Sequence, residues 1–171
     1  MHRVYLNKYS LVAVKFEEEY TLSQIADLLG FQLIHDKQES ITQAYWEGGN
    51  WLTLYKNTLL IVPDHIFSFF NNIPSGLELE LLTKFKVKML CAAFRNTVSD
   101  MYGYSFVEDK YRRVKLMEMD DAHSDFGALL EIEKAGGSEE IHDWIFEKVT
   151  GIEFTYLLSE DINMIYCKEK S

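Results

Sequence analysis

The sequence predicts an α+β fold in which a few helices pack on a mostly antiparallel sheet. Three observations favour this class. Short apolar runs of strand type recur along the chain, several of them follow one another through turns, and two segments have the spacing and capping residues of amphipathic helices. The length of 171 residues suits a single domain, 1–171, and 47% apolar side chains supply a core that needs no disulfide or structural metal.

The first elements are a strand, a helix and a second strand. "SLVAVKF" (10–16) is short, apolar and rich in β-branched residues, which predicts a strand. "TLSQIADLLG" (21–30) has one apolar face, and we expect Thr21 to cap the helix and Gly30 to end it in the left-handed conformation. "FQLIH" (31–35) follows as a short strand.

The middle of the chain predicts a hairpin between two less regular segments. "SITQAYWEGG" (40–49) alternates like a strand and breaks at two glycines. "WLTLYK" and "TLLIVP" flank Asn57 and form the hairpin, and "PDHIFSFFN" is a short helix that begins with Asp64 as its cap. Pro63 and Pro74 bracket the best candidate for a boundary between the two halves of the domain.

The second half predicts two helices and two strands outside its central hairpin. "SGLELELLTKF" (75–85) fits both helix and strand spacing, and we assign a helix. "KVKMLCAAF" (86–94) is apolar at nearly every later position, which is typical of a central strand covered on both faces. Ser138 is expected to cap a helix over 138–151, and "INMIYCK" (162–168) closes the chain as a strand.

The stretch from 96 to 121, "NTVSDMYGYSFVEDKYRRVKLMEMDD", predicts a hairpin with two unlike faces. Alternate residues share a face of a strand, so one face carries three aromatic rings and the other three smaller side chains. These are Tyr102, Tyr104 and Phe106 on one face, and Gly103, Ser105 and Val107 on the other. We expect Asp109-Lys110 to form the turn and a helix to pack closely over Gly103.

The charge of the chain is concentrated at one end. The net charge is −10, yet residues 1–116 hold 13 basic and 13 acidic side chains. Residues 117–171 hold 4 basic and 14 acidic side chains, and therefore carry the whole excess. Such a surface repels a phosphate backbone, which argues against a nucleic-acid partner. It is either a solvated face that keeps the protein in solution or a docking surface for a basic protein.

The composition also bears on cellular location. We find no apolar run long enough for a membrane span, and the first ten residues lack the pattern of a signal peptide. Cys91 and Cys167 lie far apart in apolar runs, which indicates buried thiols rather than a disulfide. We therefore expect a cytoplasmic protein that contacts no membrane.

Two motifs resemble known binding elements without completing them. The helix at 21–30 looks like the first helix of a helix-turn-helix, but "FQLIHDKQES" offers no basic recognition helix after it. Asp121, His123 and Asp125 have the spacing that begins a calcium loop, but Ile132 stands where that loop requires a glutamate. An acidic, solvated turn is the preferred interpretation of 119–127, and we predict neither a metal nor a cofactor.

The candidate ligand-binding or partner-binding residues are polar side chains of the hairpin and of the acidic segment after it: Asp100, Tyr102, Tyr104, Arg113, Asp121 and His123. If Asp100, Tyr102 and Arg113 met at a sheet end, with Arg95, they would form an acid–base cluster suited to a small hydrolase or isomerase. Alternatively, Asp100 caps a turn and both arginines pair with carboxylates. No nucleophile, phosphate-loop or dinucleotide motif is present, so catalytic residues remain unassigned.

The same segment resembles a family of uncharacterised bacterial proteins, a domain of unknown function. The resemblance lies in a Thr-Val-x-Asp motif, a Tyr-Gly-Tyr motif, an acidic turn with a following arginine, and an acidic loop leading to a glutamate. The matching residues are Thr97, Val98, Asp100, Tyr102, Gly103, Tyr104, Glu108, Asp109, Arg113, Asp120, Asp121 and Glu131. Lys110 departs from the family, which tends to have glycine in the turn. The resemblance implies no activity, only that the hairpin and the acidic loop occur together.

Taken together, these patterns predict a non-enzymatic binding or protein-interaction module with an acidic C-terminal face. The alternative is the small acid–base enzyme, which would use Asp100, Tyr102 and Arg113, with His123 as a further candidate. An immunity-like protein that neutralises a basic toxin is a special case of the first hypothesis.

Overall fold

An antiparallel sheet of nine strands organises residues 6–171, the range that the computed structural model describes. The strand order is β2-β9-β3-β4-β1-β5-β6-β7-β8, so β2 and β8 are the two edges. The strands are β1 (Lys8–Phe16), β2 (Phe31–Glu39), β3 (Asn50–Tyr55), β4 (Thr58–Val62), β5 (Val87–Asn96), β6 (Met101–Glu108), β7 (Tyr111–Glu118), β8 (Asp121–Phe126) and β9 (Met164–Glu169). The predicted α+β class is confirmed, with the sheet as the dominant part. The expectation that the first ten residues are not a signal peptide stays a prediction, because residues 1–5 lie outside the described range.

Helices cover both faces of the sheet. They are α1 (Leu22–Leu28), α2 (Ile41–Glu47), α3 (Gly76–Lys84), α4 (Ser138–Thr150), α5 (Phe154–Leu157) and two 3-10 helices, Ile66–Phe70 and Glu131–Lys134. We name each face of the sheet after one of the helices that cover it. The α4 face is covered by α2, α4 and α5, and the α1 face is covered by α1, α3 and the first 3-10 helix. Within residues 6–171, no helix combines the length and apolar character needed to cross a bilayer.

The core strands are apolar on both faces because both faces are covered. In β5 the four residues from Leu90 to Ala93 are fully buried, and in β1 the same holds for the four residues from Leu11 to Val14. A strand with one solvated face would alternate between apolar and polar residues, and these two do not. The predicted central strand at 86–94 is therefore confirmed. Cys91 and Cys167 are both buried and both free.

The first helix has the ends that its sequence predicts. The Thr21 hydroxyl accepts a hydrogen bond from the Gln24 amide at 3.1 Å, and the Gln24 side chain accepts one from the Thr21 amide at 2.8 Å. This reciprocal pair satisfies two amides that lack partners within the helix. Gly30 has a φ of 77°, which is the left-handed conformation expected after the helix.

The prediction for 40–49 was wrong, because this segment contains helix α2 rather than a strand. The Ser40 hydroxyl accepts a hydrogen bond from the Gln43 amide at 3.2 Å and so caps the helix. Ile41 and Ala44 lie three residues apart and are both buried, so the segment has helical spacing that its short-range alternation conceals.

Two predicted caps were also assigned to the wrong residue. The helix after Pro63 is a 3-10 helix whose first position follows His65, and Asp64 instead accepts a hydrogen bond from the Gly49 amide at 3.2 Å. Helix α4 includes Ser138, and the residue before it, Gly137, is the cap. The Gly137 amide donates to the Glu140 carboxylate at 3.0 Å, which satisfies this helix end from within the first turn.

The β6–β7 hairpin has the two faces that its sequence predicts. A Cβ added at Gly103 would lie 3.2 Å from a ring carbon of Phe70 in the first 3-10 helix and 3.0 Å from the Leu116 side chain. A short helix therefore does lie close on this face. The longer helix α4 packs on the other face, beside Tyr104.

A buried ion pair joins helix α3, which covers the α1 face, to strand β7 of the hairpin. Arg112 on β7 donates two hydrogen bonds to Glu78 on α3, at 2.9 and 2.8 Å, and the Glu78 side chain is fully buried. Arg112 also donates to the backbone oxygens of Asn71 and Asn72, at 2.8 and 3.0 Å. Burial raises the pKa of Glu78, an effect that the hydrogen bonds from Arg112 oppose. The pair anchors α3 and the loop before it to the β8 side of the sheet.

Candidate functional site

Two of the candidate residues, Tyr104 and Arg113, meet in a buried polar cluster on the α4 face. The Arg113 side chain is fully buried, and its guanidinium donates to Glu133 in the second 3-10 helix at 2.8 and 2.9 Å. The Tyr104 hydroxyl donates to the same carboxylate. The Leu130 amide adds a further hydrogen bond at 2.6 Å. We call Tyr104, Arg113 and Glu133, with Asp125, the Arg113 cluster.

The charges of this cluster stabilise one another. Burial alone would raise the pKa of Glu133, but hydrogen bonds from Arg113, Tyr104 and the Leu130 amide hold the pKa below its ordinary value. Burial and the neighbouring Glu133 raise the pKa of Tyr104, so its hydroxyl keeps its proton. Both oxygens of Glu133 already accept hydrogen bonds, and the cluster therefore acts as a structural tie between β6, β7 and the second 3-10 helix.

The acidic segment after β7 is a strand, which corrects the interpretation of 119–127 as a solvated turn. Residues 121–126 form β8, which pairs with β7. Asp125 pairs with Arg113, and the Arg113 guanidinium also donates to the Phe126 backbone oxygen at 3.2 Å. The hydrogen bond from Arg113 lowers the pKa of Asp125. Arg113 thus holds the edge strand in place, a role that the sequence patterns do not reveal.

Asp121 and His123 lie on the exposed surface of β8. The His123 ring nitrogen Nε2 lies 3.2 Å from a carboxylate oxygen of Glu118 at the end of β7. Both side chains are about half exposed, at 50% and 45%. This pair belongs to the open surface and is separate from the buried Arg113 cluster.

The structure does not assemble the acid–base cluster of Asp100, Tyr102 and Arg113. Tyr102 pairs in register with Met117, four residues from Arg113 along β7, which corresponds to roughly 13 Å. Asp100 lies in the β5–β6 turn, where its amide donates to the Thr97 oxygen at 3.3 Å. The turn is capped by the side chain of Asn96, which accepts from the Val98 amide at 3.1 Å.

Arg95 is likewise engaged in an ion pair. Its guanidinium donates to Glu139 in the first turn of α4 at 2.8 Å. With Arg113 paired to Glu133, the expectation that both arginines pair with carboxylates describes the structure better than a shared catalytic cluster does.

Asp100 and Asp121 instead contribute to an acidic rim at one end of the sheet. The Met119 amide donates to the backbone carbonyl oxygen of Asp100 at 2.7 Å and so joins the β5–β6 turn to the β7–β8 turn. We define the acidic rim as Asp100, Glu118, Asp120 and Asp121. No lysine or arginine occurs in residues 96–109 or 116–133, so neither turn carries a basic side chain of its own.

The acidic rim also presents two exposed apolar side chains. Val98 is 80% exposed and Met119 is 67% exposed. Met119 has a φ of 54° and Asp100 a φ of 51°, in the left-handed region that L residues avoid. For a methionine this conformation costs roughly 1–2 kcal/mol. The fold therefore holds a large apolar side chain outward among carboxylates, at a cost in conformational energy.

A shallow depression of about 340 Å³ lies beside the acidic rim on the α1 face. Its apolar lining consists of Phe67, Met101 and Leu116, and its polar lining includes Glu118 and His123. Phe67 is 47% exposed although it packs edge-on against Phe94. This depression opens next to β8, the free edge of the sheet.

Sequence patterns did not identify His142, a polar residue buried at the centre of the α4 face. Its ring nitrogen Nδ1 accepts from the Tyr9 hydroxyl at 2.6 Å, and its Nε2–H donates to the Gly103 oxygen at 2.8 Å. Burial lowers the pKa of His142 to about 4, so the ring is neutral at pH 7. Its partners come from β1 and β6, which lie 133 and 39 residues away along the chain.

Metal chemistry has no obvious site in the part of the chain that the structure describes. Residues 6–171 contain no group of three or more histidine, cysteine, aspartate or glutamate side chains positioned to hold an ion.

The chain matches no protein-family model, no curated protein and no solved structure. The resemblance of residues 97–131 to an uncharacterised bacterial family therefore stays a prediction.

Proposed function

We propose that this protein is a non-enzymatic interaction module that binds a basic partner protein at the acidic rim. The observation that carries the proposal is the joined pair of turns, which presents the four carboxylates of the acidic rim together with the exposed side chains of Val98 and Met119. Interfaces are typically formed by such apolar groups within a polar border. An immunity-like protein that neutralises a basic toxin would be one case of this function.

Charge supports a basic rather than an acidic or nucleic-acid partner. The four rim residues each carry a carboxylate, and the net charge of the chain is −10. Complementary charge speeds encounter with a basic protein and rejects an acidic one. The alternative, a small hydrolase or isomerase, has less support because Arg113 is fully occupied and about 13 Å from Tyr102 along the sheet.

A pull-down with matched variants tests the proposal. The rim variant replaces Glu118 by Gln and both Asp120 and Asp121 by Asn. Asp125 stays unchanged, because it pairs with Arg113 and its loss would disturb the fold. The control variant neutralises three exposed carboxylates of equal total charge away from the rim: Asp36→Asn, Glu47→Gln and Glu169→Gln.

The immobilised wild-type protein should recover basic proteins from a cell lysate at low salt, and should release them as salt rises. Screening shortens the reach of exposed charges to about 10 Å at 0.1 M salt. The rim variant should lose most of this recovery, and the control variant should keep it. Equal recovery by both variants would remove the acidic rim as the docking surface.

A further inference from the structure

Among residues 6–171, no further strand pairs with the outer side of β8, so this edge can accept another strand. β8 is the last strand in the order, and all of its residues except Ser124 are exposed. The outer side of an edge strand presents backbone N–H and C=O groups that can pair with an extended segment.

The opposite edge is less suited to accept a strand. In β2, the residues between Ile34 and Gln38 fall out of register with β9, and so break the line of backbone groups. Lys37, within this irregular part, lies over the ring of Tyr166 at 4.1 Å. β8 shows a smaller irregularity, in which His123 is the only residue out of register.

Each face of β8 offers a different environment to the side chains of an added strand. On the α1 face, the apolar depression opens between Phe67, Met101 and Leu116, and Phe126 lies on the same face by its pairing with Val114. On the α4 face, Asp125 is 49% exposed although it pairs with Arg113. Side chains of a strand point alternately to the two faces, so one face would receive apolar groups and the other basic groups.

We propose that β8 binds an extended segment of a partner protein, with alternating apolar and basic residues, as a tenth strand of the sheet. This inference rests on the proposed function and specifies the segment that the acidic rim selects. The apolar residues enter the depression on the α1 face, and a basic residue meets Asp125 on the α4 face. Glu118 and Asp121, at the β7–β8 turn, attract the segment through its net positive charge.

A second copy of this chain is a poor occupant of the same edge. Two copies paired through β8 would bring Asp121 and Asp125 of one copy close to the same carboxylates of the other. Charged residues at a sheet edge oppose such self-pairing. They attract a basic segment for the same electrostatic reason.

The probe for this proposal is a synthetic peptide of alternating valine and lysine with a fluorescent label. Two further peptides carry N-methyl groups, one on every valine and the other on every lysine. Methylation keeps the charge and the side chains but blocks backbone donors on one edge of the peptide. Fluorescence anisotropy gives the affinity of each peptide for the wild-type protein.

We expect one methylated peptide to bind at least about thirtyfold more weakly than the parent peptide, because it loses two or more backbone hydrogen bonds to β8. The other should bind like the parent. If both methylated peptides bind as tightly as the parent, strand addition is overturned while charge-driven binding at the rim stands. If no peptide binds, strand addition is also overturned, and the pull-down decides the basic-partner proposal independently.

The position of the peptide is tested by a matched pair of variants. Phe67→Ser removes the apolar wall of the depression, whereas Ile73→Ser removes an apolar side chain that is 78% exposed outside it. Weaker binding by the first variant alone supports the proposal. Because Phe67 also packs on Phe94, amide hydrogen exchange on the wild-type protein provides a second readout. The peptide should slow exchange in β8 and leave exchange in β2 unchanged. A stable dimer of the protein that excludes the peptide would assign the edge to a second copy and overturn the proposal.

Discussion

Replacing Arg113 by methionine tests whether the Arg113 cluster holds the β8 side of the fold. The change removes a fully buried guanidinium that donates to Glu133, Asp125 and the Phe126 backbone oxygen. Methionine fills much of the same space, so the main effect is electrostatic. The Glu133 carboxylate, whose side chain is 5% exposed, loses its balancing charge but stays in place through Tyr104 and the Leu130 amide.

Removing one partner of a buried ion pair costs about 3–5 kcal/mol, because it leaves the other charge buried and unbalanced. For a domain of this length, that corresponds to a fall in melting temperature of about 6–20 °C. The cost should depend on pH. In the wild-type protein the pKa of Glu133 is lowered, so its contribution is present above the ordinary glutamate pKa of about 4.3 and is lost below it. Without Arg113, burial raises the pKa of Glu133. As the pH falls, Glu133 therefore takes up a proton in the variant before it does so in the wild-type protein, and this proton removes the unbalanced charge. The difference between the two proteins should therefore shrink as the pH falls from 7 toward 4.5.

Urea unfolding monitored by circular dichroism at several pH values measures this difference. Lys115→Met, a change of the same kind on the same strand, is the control and should cost less than about 1 kcal/mol. Adding Glu133→Gln to the Arg113→Met variant should restore stability, since it removes the unbalanced charge. The glutamine oxygen can still accept from the Leu130 amide, and its NH2 group can donate to the Tyr104 hydroxyl. A cost below about 1 kcal/mol for Arg113→Met, or further loss on adding Glu133→Gln, would refute the structural role.

Three other substitutions follow from the same geometry. His142→Gln should make the free energy of unfolding depend less on pH. Because the pKa of His142 in the folded protein, about 4, lies below the ordinary 6.5, the wild-type protein should lose roughly 3 kcal/mol more stability than the variant between pH 6.5 and 4. Equal losses of stability for the two proteins in urea titrations over this pH range would contradict this. Gly103→Val should cost about 1–3 kcal/mol by crowding Phe70, and a melting temperature equal to that of the wild type would show that the close contact is not structural. Met119→Gly should raise the melting temperature by about 1–4 °C because glycine adopts the left-handed conformation without strain. The same change should weaken binding to the valine–lysine peptide. Unchanged binding would show that Met119 is not part of the docking surface.

Elements with local signals could be predicted from the sequence. Thr21 and Gly30 mark the ends of α1 because a cap and a left-handed glycine act within one turn of the chain. The alternation of large and small side chains predicts the two faces of the β6–β7 hairpin. The apolar residues on both faces of β5 predict a central strand. The segment at 40–49 was misassigned because a short helix with only Ile41 and Ala44 buried shows too little periodicity to outweigh alternation.

The sites depend on pairs that no local pattern reveals. Arg113 meets Glu133 across 20 residues, and Arg112 meets Glu78 across 34. Adjacent arginines on β7 point to opposite faces, so each finds a carboxylate in a different helical layer. Because Arg113 and Asp100 are both polar residues near one hairpin, the sequence suggests that they lie together. The register separates Arg113 from Asp100, and the joined turns bring Asp100 next to Met119 instead.

The acidic rim was predictable in charge but not in place. The excess of acidic residues in 117–171 is visible from counting, yet these residues are spread over β7, β8, the turn between them, the second 3-10 helix, α4, the segment after α4, and β9. Only the hydrogen bond between Met119 and Asp100 shows that a turn outside this range, at 97–100, completes the rim.

The most direct test of the central claim is a map of where a basic segment touches the protein. The valine–lysine peptide would be titrated into isotopically labelled protein at physiological salt, and the backbone amide shifts would be followed by nuclear magnetic resonance. The shifted amides should cluster in residues 97–101 and 117–126. Asp121→Lys should abolish the shifts, whereas Asp36→Lys, at the far edge of the sheet, should not. Shifts centred on the acidic residues of α4 and of the segment at 153–161, or equal effects of the two substitutions, would contradict docking at the acidic rim and β8.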